Sequence, residues 1–337
     1  MRKFLIIVSI VLLATACEVE FSPNAEWKNI PVVYCLLDQD DDTSWVRVQR
    51  CYLTEDNIYN YGSNSDSINY PQGSISVSLL AYENGQLKDS MNFEYTTRDH
   101  EPGSFVSTNQ PLYYCRTKNR LKENYSYVLQ VRNVADNSIL AVSDPIMLIK
   151  KTASKLFVDP SLTILNGTDT ISGQFAFYNS LGGSSSNTLY CYIRWNALEN
   201  ARLYQPVVRF YYETQGEVKH IDLHASNSRT TETYYSRDLF LSQLKQYFGD
   251  DTTRKRYIPR VDLYLTCCSE ELNAYMMANS SGGAASEMAE GFSNINGGVG
   301  VFASRRTHLY SRMPADSAIT AGRGLLYHLI QMNVGFY

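Results

Sequence analysis

Short segments with an apolar residue at every second position, separated by clusters of turn-forming residues, confine this chain to an antiparallel β architecture. Ile75, Val77, Leu79 and Ala81 alternate with Ser74, Ser76, Ser78 and Leu80. Because side chains on a strand alternate between faces, this spacing buries one face and leaves the other wet. Val46 and Val48 alternate with Arg47 and Gln49 in the same way, and Tyr125, Tyr127, Leu129 and Val131 share a face. The apolar run Ile30 to Leu37 stops at Asp38-Gln39-Asp40-Asp41-Asp42 and resumes from Ser44 to Leu53, which predicts a hairpin. Asn84-Gly85 supplies the positive φ of a tight hairpin turn, with a return strand from Leu87 to Tyr95. Leu53 to Gln72 is polar and reads as a long exposed loop.

This pattern predicts a mainly β protein whose residues 30–148 form an immunoglobulin-like β-sandwich. Asp144-Pro145 and Lys150-Lys151 mark a boundary, and residues 149–337 read as a β-rich α+β domain. Its strands are expected at Gly173 to Tyr178, Thr188 to Trp195, Pro206 to Glu213, Val218 to Leu223 and Val261 to Cys267. Phe240, Leu241, Leu244, Tyr247 and Phe248 lie at helical spacing, so Arg237 to Phe248 is predicted to be a helix capped by Ser236 and ended by Gly249. A second helix is expected after Ser269, with Glu270 and Glu271 at the positive end of its dipole.

The N-terminus sets where this body resides. Arg2 and Lys3 precede the apolar run Phe4 to Leu13, and Ala14-Thr15-Ala16-Cys17 follows. A basic start, a short apolar stretch and small residues before a cut site form a secretory signal, and the run is too short to span a bilayer. The cysteine directly after the small residues is the lipoprotein pattern. Residues 1–16 are therefore expected to be removed and Cys17 to carry the acyl chains, palmitate among them. Residues 17–29 are then a short tether. Removal takes away two basic residues and no acids, so the formal charge moves from −4 to −6. An acidic body argues against a nucleic-acid partner, which needs a basic face.

Chemical motifs are sparse. His100, His220, His224, His308 and His328 form no His-Glu-x-x-His pattern. His220 and His224 fall in a predicted strand, where equal parity merely puts both rings on one face. Cys35, Cys51, Cys115, Cys191, Cys267 and Cys268 include no Cys-x-x-Cys, and most sit in apolar strand-like runs, as buried thiols do. The alternate acids Asp38, Asp40 and Asp42 are a calcium candidate, set against a solvated turn because the loop lacks the glycine and distal glutamate of an EF-hand. Asn296-Gly297-Gly298-Val299-Gly300 lacks the strand–turn–helix context of a phosphate loop and reads as a turn or bulge entering a strand. No cofactor is expected beyond the lipid on Cys17, and no catalytic residue is assigned. The 26 tyrosines suit strands and recognition surfaces.

Two stretches carry a family resemblance. Pro31-Val32-Val33-Tyr34-Cys35-Leu36-Leu37-Asp38, soon after Cys17, resembles the opening strand of the domain of unknown function 4249 family of Bacteroidota outer-membrane lipoproteins. Thr266-Cys267-Cys268-Ser269-Glu270-Glu271-Leu272, followed by Phe292-Ser293-Asn294-Ile295-Asn296-Gly297-Gly298-Val299-Gly300-Val301-Phe302, is similar to that family's late segment. The resemblance implies an outer-membrane location and the company of TonB-dependent receptors. Glu18 and Glu20, directly after Cys17, look like the surface-export signal of such lipoproteins and imply that the body faces the cell exterior. The expectation that follows is a non-enzymatic accessory subunit of a β-barrel outer-membrane complex of TonB-dependent receptor type, serving uptake or outer-membrane protein assembly. The rival classes are a glycan- or peptide-binding surface lipoprotein, with Trp27, Trp45 and Trp195 as stacking candidates, and a hydrolase.

Overall fold

The structure is a computed structural model. It describes residues 28–51, 65–99, 108–150, 158–159, 161–163, 170–172, 177–179, 189–195, 197–280, 291–313 and 325–337. Cys17, Glu18, Glu20 and Trp27 lie outside the described residues, as does most of the expected loop Leu53 to Gln72.

The protein is mainly β. Its first part runs β1 (Pro31–Leu37), β2 (Thr43–Arg50), a helical turn α1 (Ser65–Ile68), β3 (Ile75–Glu83), β4 (Gln86–Asn92), β5 (Glu94–Arg98), β6 (Gln110–Arg116), β7 (Ser126–Asn133), β8 (Ile139–Ser143) and β9 (Ile146–Met147). β1, β2, β6 and β5 lie side by side in that order, and β4, β3, β7 and β8 form the facing layer. Two sheets packed face to face in this way make a β-sandwich. Val33, Cys35, Val46, Val48 and Cys115 of the first layer meet Val77, Leu79, Tyr127, Leu129 and Val131 of the second in one buried cluster. The Asn84-Gly85 turn has both residues at positive φ, and Glu83 pairs with Gln86 across it. The expected single return strand is in fact two. β4 stays with β3, while β5 crosses to β6 in the other layer, the break falling at the buried Phe93. The expected exposed loop before Gln72 also ends differently. Ser65–Ile68 is helical, and Ile68, Asn69 and Tyr70 are buried against the sandwich.

The second part runs β10 (Val158–Asp159), β11 (Ser161–Thr163), β12 (Thr170–Ser172), β13 (Tyr178–Asn179), β14 (Leu189–Trp195), β15 (Leu203–Thr214), β16 (Glu217–His224), β17 (Glu232–Ser236), α2 (Arg237–Phe248), β18 (Tyr257–Cys268), α3 (Glu270–Ser280), β19 (Ile295–Asn296), β20 (Val299–Met313) and α4 (Leu325–Gln331). α2 starts and stops where the sequence predicts. Ser236 Oγ accepts from Leu239 N–H at 3.2 Å, and Gly249, at φ 62°, donates its N–H to Lys245 O at 2.8 Å. Phe240, Leu244 and Phe248 of α2 join Leu325 and Leu329 of α4 over the inner face of β15, β16 and β18.

One strand unites the two parts. The first half of β20 pairs in parallel with β1, from Val32↔Val299 to Leu37↔Ser304. Its second half pairs antiparallel with β18, from Cys268↔Arg305 to Val261↔Met313. The result is one eight-stranded sheet in the order β16-β15-β18-β20-β1-β2-β6-β5. Residues 291–304 thus complete the first sandwich, with Ile295 and Phe302 in its core. The boundary read at 148/149 assigns them to the second domain. A linear reading misses the return because β20's partners are set by tertiary pairing.

The stretch Asn294 to Phe302, part of the family resemblance, is the device that inserts this strand. The Asn294 side chain accepts from Phe302 N–H at 2.9 Å and donates to Phe302 O at 2.7 Å, so it pairs with backbone as a neighbouring strand would. Gly300, at φ 127°, lets β20 pass so close to β1 that a Cβ there would lie 2.0 Å from Val33 O.

Where β20 changes partners, its residues 304–306 knit the two parts together. Arg306 is 3% exposed. Its guanidinium binds Asp40 through two hydrogen bonds of 2.8 and 3.0 Å, Glu123 at 2.9 Å and Ile149 O at 3.1 Å. Ser304 Oγ accepts from Ile149 N–H at 3.2 Å. The calcium candidate is explained here. Asp40 is taken by Arg306, and Asp42 pairs with Lys118 at 2.7 Å. Asp38 is buried, with its Oδ1 accepting from Asp40 N–H. Among the described residues no three His, Cys, Asp or Glu side chains converge as a metal would need. The acids are spaced for a turn whose charges are met by cations from elsewhere in the chain.

Burial pushes the Asp38 carboxyl up from 3.8 to about 6. A carboxyl with a folded-state value above its unfolded one binds more protons in the folded state between those values, so its favourable contribution is lost as pH rises through about 6. Asp38→Asn keeps the acceptor for Asp40 N–H and removes the buried charge. It should raise stability at pH 7.5 by about 1–2 kcal/mol and flatten the pH dependence between 4 and 7. Urea unfolding across that range checks this. Equal slopes for the two proteins would refute it.

The six described cysteines are free thiols in the structure, all buried except the half-buried Cys51. Burial raises Cys35, Cys115, Cys267 and Cys268, the last two to about 12 and about 11. Since the thiolate is the reactive form, a water-soluble maleimide should label Cys51 first and the others only on unfolding, as peptide mass mapping would report.

Candidate interaction face

The eight-stranded sheet buries one side in the two cores and turns the other outward. On β15, Val208, Phe210 and Tyr212 point into the core, so Leu203, Gln205, Val207, Arg209 and Tyr211 point out. The outward residues align in rows across the strands. His220, Tyr211 and Arg260 form one row, and Asp222, Arg209 and Asp262 the next.

These rows are held by charge and aromatic contacts. Arg209 binds Asp222 through a fork of 2.7 and 2.8 Å, and its Cζ lies 4.6 Å from the centre of the Tyr264 ring. The pair holds the Asp222 carboxyl below the usual carboxylate range and the guanidinium above its own. Arg260 lies over the Tyr211 ring at 4.0 Å. Its Nε donates to Asp262 Oδ2 at 3.2 Å, while Asp262 Oδ1, at 3.1 Å, is too poorly angled to bond and has no donor. His220 and His224 are exposed on the strand at the sheet's edge, as their spacing predicts.

The opposite end of the same face repeats the theme. Arg98 of β5 sits 4.0 Å over Trp45 of β2, and Trp45 lies 5.7 Å from Tyr114 of β6. Tyr114 donates to Glu94 at 2.6 Å. Between these clusters α3 lies across the sheet, with Tyr275 edge-on to Tyr34 at 6.0 Å. Arg–aromatic clusters thus stand at both ends of a face that spans about 34 Å, taking about 4.8 Å per strand spacing.

No protein-family model matches the chain, and no curated protein does. The face is therefore judged by its chemistry. Tyr, Trp and Arg are the residues enriched in the energetic centres of protein interfaces. Arginines already laid on rings and paired with acids lose little freedom when a partner covers them. Composition pointed to tyrosine as an interface residue, but only the sheet register shows which tyrosines gather. Trp195, one of the stacking candidates, is 4% exposed and packs on Tyr204 in the core. Of the two described tryptophans, Trp45 is the one on this surface.

Proposed function

We propose that the protein is a lipoprotein of the outer membrane, acylated at Cys17 and facing the cell exterior under the export signal Glu18 and Glu20. In this reading it is a relative of the domain of unknown function 4249 lipoproteins and acts without catalysis, as an accessory subunit of a β-barrel complex of TonB-dependent receptor type. The single observation that carries the reading is the outer sheet face, with Arg–aromatic clusters at its two ends, on either side of α3. The tether supports it. From Cys17 to Lys28 there are eleven steps, at most about 40 Å extended, so the body is kept within reach of a barrel's outward loops. Confinement at one membrane raises effective concentration and lets modest affinity suffice.

A photo-activatable residue placed singly at Tyr211, Tyr264 or Trp45 in intact cells should cross-link to one barrel protein, while the same residue at Lys88, on the second layer of the first sandwich, should not. Equal labelling from all four positions would refute the assignment of the face. Mass spectrometry of the mature N-terminus tests the anchor, and an unmodified Cys17 would remove it. The glycan-binding reading rests on the Trp45–Tyr114 pair. Saturable retention on glycan columns, lost in Trp45→Ala, would favour that reading instead.

A further inference from the structure

A pocket of about 300 Å³ lies where α3 crosses the outer face of the sheet. Its walls are apolar: Leu36 of β1, Leu203 of β15, and Leu272 and Met276 of α3. Its polar lining includes Gln205 and Arg305, and neither side chain hydrogen-bonds to another described residue. Arg305 has charged neighbours only at a distance. Its Nε lies 4.0 Å from Asp38 Oδ2, and its Nη2 lies 4.0 Å from Asp41 Oδ2. These contacts are too long for hydrogen bonds. They are loose ion pairs of a side chain that is 43% exposed, and among the described residues no acceptor takes its donors.

An apolar pocket with a few converging, uncommitted polar groups is what small-molecule sites are made of, and this volume is at the low end of their range. We infer that this pocket binds a small monocarboxylate with an apolar tail, the tail lying between Leu203 and Met276 and the carboxylate on the fork of Arg305. A guanidinium matches a carboxylate with two parallel hydrogen bonds. Asp38 and Asp41 flank the same guanidinium and disfavour a doubly charged phosphate more than a singly charged carboxylate. Apolar contact from the Leu203, Leu272 and Met276 side chains supplies the attraction for the tail. This site is independent of the docking role proposed above, since it needs no partner protein.

The test uses the full-length lipoprotein in nanodiscs and equilibrium dialysis with labelled octanoate, empty nanodiscs giving the background. Wild type should bind one equivalent saturably. Arg305→Gln should weaken binding at least tenfold, and 1-octanol should compete no better against wild type than against that variant. Met276→Trp, which fills the pocket, should abolish saturable binding. Leu203→Phe is a second filling variant, used if Met276→Trp fails to keep the wild-type unfolding midpoint. Binding that does not saturate above empty discs would overturn the inference. So would unchanged affinity in Arg305→Gln, even if the filling variants block, because the carboxylate would then not be read by this arginine.

Discussion

Arg306→Met should destabilise the protein by about 3 kcal/mol, because it removes one partner from a buried ionic cluster and leaves the others. The guanidinium is nearly inaccessible and answers Asp40, Glu123 and the carbonyl of Ile149 at once. Gln39 shares two of these acceptors, at 3.1 Å from Glu123 and 2.8 Å from Ile149 O, and cannot neutralise the carboxylates. Asp40 and Glu123 are 45% and 34% exposed, so water recovers part of their solvation, which keeps the expected loss near the low end for buried pairs. Arg306→Lys should recover less than half of it, since an ammonium cannot make the fork to Asp40. The cluster ties the Asp38–Asp42 turn of the first sandwich to the strand that enters the second part. Urea unfolding followed by tryptophan fluorescence measures the loss. A variant within 0.5 kcal/mol of wild type, roughly the scatter of ordinary surface changes, would contradict the account.

Gly300→Ala should be more damaging still. Gly300 sits at φ 127°, a region that residues with a Cβ rarely enter, and the new methyl would lie 2.0 Å from Val33 O and 2.8 Å from Val33 C. Neither neighbour is a side chain that can swing away. Both belong to the β1 backbone, which is held on its other edge by β2. Relief requires β20 to leave β1, which exposes Phe302 and Ile295 and breaks the pairing of Asn294 with the backbone of Phe302. The expected cost is at least about 3 kcal/mol, as backbone strain and lost core burial add. Gly216→Ala is the control. It has φ 78° with nothing within 4 Å, so it should cost only about 1 kcal/mol of backbone strain. Similar losses at both positions would mean that φ alone matters and that the close passage of β20 past β1 does not.

What could be read from sequence was local. The cap Ser236, the stop at Gly249 and the stripe Phe240-Leu244-Phe248 all act within a few residues of themselves, and α2 forms where they say. The alternations of β2, β3 and β7 likewise bury the residues they mark, save Tyr125, which precedes β7 and is half-buried. Hairpin partners could be read too, as β1 with β2 and β3 with β4, but partner choice beyond them was not legible. Nothing near Phe93 states that the chain changes layers there. Asn296 to Gly300 reads as a turn entering a strand, and nothing in Ser304-Arg305-Arg306-Thr307-His308 states how far that strand, β20, runs. It continues because Arg306 finds Asp40 and Glu123, residues 266 and 183 positions away. For the same reason the alternate acids of the first turn read as a solvated turn or a calcium candidate, and not as partners of Arg306. The outer face was hidden too. Arg209, Arg260, Tyr211 and Tyr264 belong to two strands some fifty residues apart, and their cluster exists only once the β15–β18 register is known.

The central claim is that the outer sheet face docks on a β-barrel protein of the same membrane. Its most direct test is extraction in mild detergent through an affinity tag on the C-terminus, with quantitative identification of what co-purifies. Wild type should bring down one barrel protein in stoichiometric amount. Arg209→Glu combined with Tyr264→Ala should lose it while keeping the wild-type unfolding midpoint and acylation. Recovery of the lipoprotein alone, repeated under conditions that preserve other barrel–lipoprotein complexes, or full retention of the barrel by the double variant, would contradict the account.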